Sequence, residues 1–245
     1  MWAVIHKIST KRKKSSVIMT THSMDEAETL CKRMGIMVNG EFVCLGGSQE
    51  IKDKYGYGFE ADIRIKPLAD EKANEICKEK GIDKKLIIKP NNINETLTKL
   101  GKEHFISELT KGRLGEKLLR EVSTNERFRV YQLIAWTYFV ENAFRLIKKS
   151  KQYFDEIILT EYIDNNFLFK LKRGENSKSI GFLFGLFESE KDECHVTEYS
   201  IQPTSLEQIF NKFAAKQGHD EEAIDVEQEK TEIVVDDELI NKFTK

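Results

Sequence analysis

The sequence predicts two unlike units in tandem, an α/β segment over residues 1–58 and an α+β unit over 59–217, followed by an acidic tail at 218–245. Three observations carry that division. Residues 15–31, SSVIMTTHSMDEAETLC, take a short apolar run into polar residues and then into a helix start. Residues 59–65, FEADIRI, alternate apolar and charged side chains, the pattern of a half-buried strand. Residues 156–163 and 167–173 form two more strand-like runs on either side of Asp164, Asn165 and Asn166.

In the first unit, Trp2, Ile5 and Ile8 fall on one side of a helix over 2–9, and the basic run Lys11, Arg12, Lys13 and Lys14 reads as a solvated turn. Val17, Ile18 and Met19 suit a parallel strand covered on both faces. Thr20, Thr21 and His22 then stand at its carboxyl end, where open α/β sheets place their ligands. Ser23 and Glu26 make an S-x-x-E capping box that starts a helix over 23–34. A strand that ends in a histidine and restarts as a capped helix aims one imidazole at a ligand edge, so His22 is the candidate catalytic residue. Thr20, Thr21, Ser23 and Asp25 are neighbours by position and are assigned no chemistry. Asn39-Gly40 joins IMV to EFVCLG as a hairpin, and Ser48 caps a short helix that ends at Gly56.

The second unit begins with the strand at 59–65. Helices are expected at 70–80, 93–110, 113–122 and 130–150, so residues 66–155 read as a helical insertion longer than one crossover requires. The stretch VYQLIAWTYFVENAFRLI at 130–147 is interrupted by Glu141, Asn142 and Arg145, which favours a buried amphipathic helix over a membrane segment. Strands at 156–163 and 167–173, a helix near 178–189, a strand at 195–201 and a helix at 204–217 complete the unit. The order β-α-β-β-α-β is the split βαβ, or ferredoxin-like, arrangement. Phe182, Phe184 and Phe187 on the 178–189 helix are expected in the core rather than on a lipid-binding surface.

Composition narrows the function. A net charge of −2 argues against a general nucleic-acid binder, and no run of about 18 apolar residues is present to span a bilayer. The first residues lack the apolar core of a secretory signal. Cys31, Cys44, Cys77 and Cys194 form no C-x-x-C pair and, with the histidines, no zinc-ligand spacing, so no metal ligand is assigned and reduced thiols are expected. From His219 to Glu238 ten acidic residues face one lysine, a run that repels itself. Inside it, Ile233, Val234, Val235, Leu239 and Ile240 offer either a docking strand or helix or incidental apolar residues in a solvated tail.

The residues from Thr20 to Glu26, T-T-H-S-M-D-E, preceded by Trp2, Lys11 to Lys14 and Ser16 to Met19, resemble the switch region that closes the ATPase domain of ABC transporters, and their A subfamily above all. The resemblance continues through LCKRMGIMVNGEFVCLGG at 30–47 and resumes in HVTEYSIQPTSLEQIFNKFAAKQ at 195–217. It implies the C-terminal end of a partial P-loop ATPase domain over 1–58, then a ferredoxin-like regulatory domain over 59–217. It also implies that His22 contacts the γ-phosphate and helps position the attacking water, with Glu and Lys residues supplied upstream. No G-x-x-x-x-G-K-[ST] and no LSGGQ-like signature occurs, so the isolated chain is not expected to hydrolyse ATP. ATP and Mg2+ are expected cofactors of the full-length protein, and none is expected for the isolated chain.

The resemblance further implies that residue 1 falls inside a domain and that the partners are the upstream remainder of the same transporter with its first ATPase and regulatory domains. Nucleic acid is not among them. Attachment to the cytosolic face of a membrane would come through transmembrane segments outside this sequence. The expected function is a contribution to ATP hydrolysis that drives lipid transport. The alternative is a stand-alone cytosolic regulatory or adaptor module without ATPase activity.

Overall fold

The computed structural model describes residues 16–174, 178–217 and 232–244. The expected helix over 2–9, the basic run Lys11 to Lys14 and the acidic residues 218–231 lie outside the described residues. The chain divides into two compact units. One comprises the described residues up to 58 together with 203–217, and the other comprises 59–202 together with 232–244.

In the first unit α1 (Met24–Leu30) leads to the antiparallel hairpin of β1 (Met34–Val38) and β2 (Glu41–Gly46). The turn residues Asn39 and Gly40 have φ of +50° and +84°, the left-handed pair that lets a two-residue loop match the strand twist. Helix α2 (Ser48–Tyr55) follows, capped differently from expectation. Gly47 is the N-cap, its N–H donates to the Glu50 carboxylate (2.8 Å), and the Ser48 hydroxyl turns instead to Glu28 (2.7 Å). Ile36, Val38, Cys44 and Ile51 make a small core with Leu206 and Ile209 of α8 (Leu206–Gln217). The sequence pattern groups that helix with the second unit. Its apolar stripe, with Phe213 edge-on to Tyr55 at 5.3 Å, packs in the first.

The second unit is built on a five-stranded sheet in the order β6-β3-β5-β4-β7. Its strands are β3 (Gly58–Ile65), β4 (Phe154–Ile163), β5 (Asn166–Arg173), β6 (Val196–Pro203) and β7 (Ile233–Val234). Alternation sets the inner face, where Phe59, Ala61, Ile63, Ile65, Phe167, Phe169 and Leu171 are all buried. β4 pairs antiparallel with β5, and its register shifts between Leu159 and Glu161. The bulge turns Thr160 inward beside Leu159, and the Thr160 hydroxyl donates to the Leu168 carbonyl (3.0 Å). Asp164 (φ +52°) and Asn165 close the hairpin. Asn165 also fixes the adjoining end of β3, because its carbonyl accepts the Ile65 N–H (2.8 Å).

The inner face is covered by helices, chiefly α6 (Val130–Ser150), whose Leu133, Val140, Ala143, Phe144 and Ile147 are buried along one stripe. Before it come α3 (Asp70–Glu79), α4 (Ile93–Leu100), a 3-10 turn over Glu103–Glu108 and α5 (Glu116–Thr124). Helix α7 (Ile180–Glu190) buries Leu183 and Phe187. Phe182 and Phe184, expected in the core, stay about two-fifths exposed and meet Tyr153 and Tyr199 at the rim. The cause is helical geometry, since residues two apart cannot share one buried stripe.

The end of the chain is part of this unit. β7 pairs antiparallel with β4, Ile158 opposite Val234. Helix α9 (Asp237–Phe243), capped by Asp236, lays Leu239, Ile240 and Phe243 against the core. Of the two readings of the tail, residues 232–244 bear out the docking strand and helix.

Candidate functional site

Residues 16–23 carry the turn that presents His22. The expected strand over Val17–Met19 is absent from the described residues: these residues are irregular and Ile18 is 95% exposed. A doubly covered parallel strand needs a neighbour on each side, and the first unit's described strands are only the hairpin pair β1 and β2. An apolar run states what a segment can bury, not that its partners are at hand.

The turn and the helix start beyond Thr20 are closely organised. Ser23 is the N-cap of α1 and its hydroxyl accepts the Glu26 N–H (3.3 Å). The reciprocal half of the expected capping box is replaced by a relay through Thr21. Its hydroxyl oxygen accepts the Ser23 N–H (3.0 Å) and its proton goes to the Glu26 carboxylate (2.8 Å). Thr21 therefore ties the residues on both sides of His22 to the first turn of the helix. Sequence reasoning missed that role, although a Thr two residues before an N-cap Ser is the spacing of a side-chain turn. His22 itself is exposed, with no hydrogen-bond partner for its imidazole among the described residues. Thr20 and Asp25 are exposed beside it.

Helix α1 is held from its far side. The Glu28 carboxylate accepts from Ser48 (2.7 Å) and pairs with Lys52 (2.5 Å) on α2. Those two hydrogen bonds, Lys52 first, keep the Glu28 carboxyl below its usual range. α1 buries no residue fully, so this pair and the half-buried Met24 are what orient it.

No group of three or more His, Cys, Asp or Glu among the described residues could hold a metal ion. The Glu26 carboxylate is engaged by Thr21, and the sequence offers no glycine-rich phosphate cradle with a lysine. The turn presents one imidazole that has no hydrogen-bond partner among the described residues, and a single such group needs others to define a ligand. No described helix is long and apolar enough to cross a membrane.

No family model matches the chain. The retinal-specific phospholipid-transporting ATPase ABCA4 of Homo sapiens is 26% identical to it over 217 residues, 89% of this chain and 6% of that protein. ATP-binding cassette sub-family A member 7 of Mus musculus is 47% identical over 66 residues, 27% of this chain and 3% of that protein. The glucosylceramide transporter ABCA12 of Homo sapiens is 46% identical over 66 residues, 27% of this chain and 2% of that protein. The chain thus spans a few per cent of the length of these relatives. One relative matches nearly the whole chain and the others match part of it at higher identity, and all are of one subfamily: what the chain resembles is part of an A-subfamily ATP-binding cassette transporter.

Proposed function

We propose that this chain works as the distal part of the second ATPase domain of an A-subfamily transporter, followed by its regulatory domain, and that His22 is the switch residue it contributes to ATP hydrolysis. The observation that carries the reading is the histidine turn. An exposed imidazole without a partner among the described residues stands in a turn held by the Thr21, Ser23 and Glu26 hydrogen bonds at the start of a helix. Such a group is placed to hydrogen-bond a phosphate oxygen or a water, while the cradle and the metal ligands would come from elsewhere in the transporter.

The first unit's surface supports a role inside a larger assembly. Ile18, Phe42 and Leu45 are 95%, 68% and 65% exposed, joined by Met37 and Val17. Met37 and Phe42 are paired across the hairpin that also carries Leu45, and apolar groups exposed together mark a contact surface, which counts against the alternative of a stand-alone adaptor. Within the second unit, the order of the first four strands, β6-β3-β5-β4, with helices between β3 and β4 and between β5 and β6, supports the ferredoxin-like reading of a regulatory domain. The relatives' names speak of phospholipid and glucosylceramide transport, and a lipid is the cargo we infer here. ATP and Mg2+ are the cofactors and the cytosolic face of a membrane the location.

The test is ATP turnover by the full-length transporter in lipid. His22→Ala is expected to lower the rate about a hundredfold while nucleotide binding and folding persist. Turnover equal to that of the unaltered protein removes His22 from the mechanism.

A further inference from the structure

The turn that ends α7 places a histidine where glycine is the usual residue. The Val196 N–H donates to the Lys191 carbonyl (2.8 Å) and the His195 N–H to the Asp192 carbonyl (3.2 Å). These are the two bonds of a Schellman turn with His195 at its left-handed position, and His195 has φ +51°. A β-carbon is unfavourable there, and although histidine is among the residues that tolerate the conformation, glycine would fit it without cost, so the contacts of the side chain bear on why histidine stands there.

That side chain sits among cations. The imidazole stacks on Tyr138 of α6, ring centres 5.7 Å apart and 28° between planes. The Lys72 ammonium, from α3, lies 5.7 Å from the centre of the same tyrosine ring. Lys66, just after β3, donates its N–H to the His195 carbonyl (2.7 Å). Arg145, two turns beyond Tyr138 on α6, hydrogen-bonds Asn142 (3.4 Å). Among the described residues none of Lys66, Lys72 and Arg145 pairs with a carboxylate, and the half-buried Tyr138 hydroxyl has no hydrogen-bond partner. Burial, then Lys72, Arg145 and Lys66, hold the imidazole below the usual histidine range, so the charges it senses are all positive. Of the acids at the turn, Glu190 and Glu193 face Lys149 at 3.3 and 3.9 Å and Asp192 is exposed, as are Asp70 and Glu71 at the start of α3. The C-terminal end of α7 offers only about half a negative charge, less than the cations around it.

We infer that Lys66, Lys72, Tyr138, Arg145 and His195 form a binding site for a phosphate group, carried either by an anionic lipid headgroup or by soluble phosphate. The guanidinium fork suits two phosphate oxygens, the lysines add point charges, and the phenol and imidazole each supply one donor. The site lies in the second unit and is independent of the reading given to His22.

The experiment uses the whole 245-residue chain. Binding of inorganic phosphate is measured by calorimetry, and binding of phosphatidylcholine vesicles with and without phosphatidic acid by co-sedimentation. Chloride at matched ionic strength controls for screening. Saturable binding of phosphate supports the soluble source, and binding only to vesicles with phosphatidic acid supports the headgroup. In either case Lys72→Ala is expected to weaken it about tenfold through loss of one charge-assisted contact. His195→Gly, which the turn accommodates, is expected to weaken it with the fold intact. Absence of both kinds of binding above the chloride control, or binding that neither substitution changes, overturns the proposal.

Discussion

Lys242, in the last turn of α9, pairs its ammonium with the carboxylate of Glu108, a residue 134 positions earlier in the chain and only 1% exposed. The same ammonium donates to the Ser107 hydroxyl, and Arg113 approaches Glu108 from the solvent side at 3.5 Å. The end of the chain thus neutralises a buried charge as well as covering apolar surface. Lys242→Met is expected to destabilise the second unit by about 2–3 kcal/mol. That is less than the roughly 3–5 kcal/mol typical of a broken buried pair, because Arg113 remains. Urea unfolding measures the loss, and amide exchange at Val235, whose N–H donates to the Ile157 carbonyl (2.8 Å), should quicken with it. Unchanged exchange at Val235 would mean that β7 is held without Lys242.

His104 makes the same docking pH-sensitive. Its ring lies 5.9 Å from that of Phe243 and its Nε2 lies 3.6 Å from the Glu141 carboxylate. Burial lowers its pKa from the ordinary 6.5, Glu141 partly opposes this, and Lys102 and Lys242 add to it. Because the folded value is the lower one, the unfolded chain takes up the proton first as pH falls. Stability is therefore complete above pH 6.5 and declines as pH drops through the folded value. Thermal unfolding from pH 7.5 down to 5 should show this slope and lose part of it in His104→Gln. Identical slopes for the two proteins would exclude His104 as the source.

Thr21 joins Ser23 to Glu26, so Thr21→Val should loosen the start of α1 by about 1 kcal/mol, the scale of a lost helix cap. Thr21→Ser, which keeps the hydroxyl, should restore it. The readout is amide exchange at Ser23 and Glu26. If valine leaves both amides as protected as before, the Ser23 cap alone holds the turn.

The four cysteines should differ in reactivity, because the thiolate is the reactive form and access limits it. Cys31 is partly exposed and Cys44, Cys77 and Cys194 are buried. Burial raises the Cys77 thiol and pushes Cys194 up to about 11. Native alkylation at pH 8 followed by peptide mapping is expected to label Cys31 first, with Cys194 modified only once the chain unfolds. Early labelling of Cys194 would show that α7 opens readily.

Much of the second unit was legible because its signals are local. Alternation gave β3 within one residue, the polar residues between two apolar runs gave the β4 and β5 hairpin, and apolar spacing gave α6 from 130 to 150. The failures depend on partners distant in sequence. Val17–Met19 has strand composition but lacks neighbouring strands among the described residues, and α8 has an apolar stripe that could have served either unit. At the candidate site, Ser23 as a cap was readable from one residue type at one spacing. The Thr21 relay was not, because it required knowing that the Glu26 carboxylate turns away from the Ser23 N–H. His195 escaped notice because a left-handed φ at a residue other than glycine leaves no mark in composition.

The docked strand and helix at 232–244 also constrain how the protein can be made. Phe243 lies 4.6 Å from the Phe105 ring and 5.1 Å from that of Phe144, so those two aromatic rings lack this cover until Phe243 itself has been synthesised. On a ribosome adding about 5–20 residues per second, the interval between Phe105 and its partner is several seconds, long enough for chaperones or neighbouring nascent chains to meet the exposed rings. Expression yield should accordingly respond to chaperone supply and to any change that delays or removes Phe243.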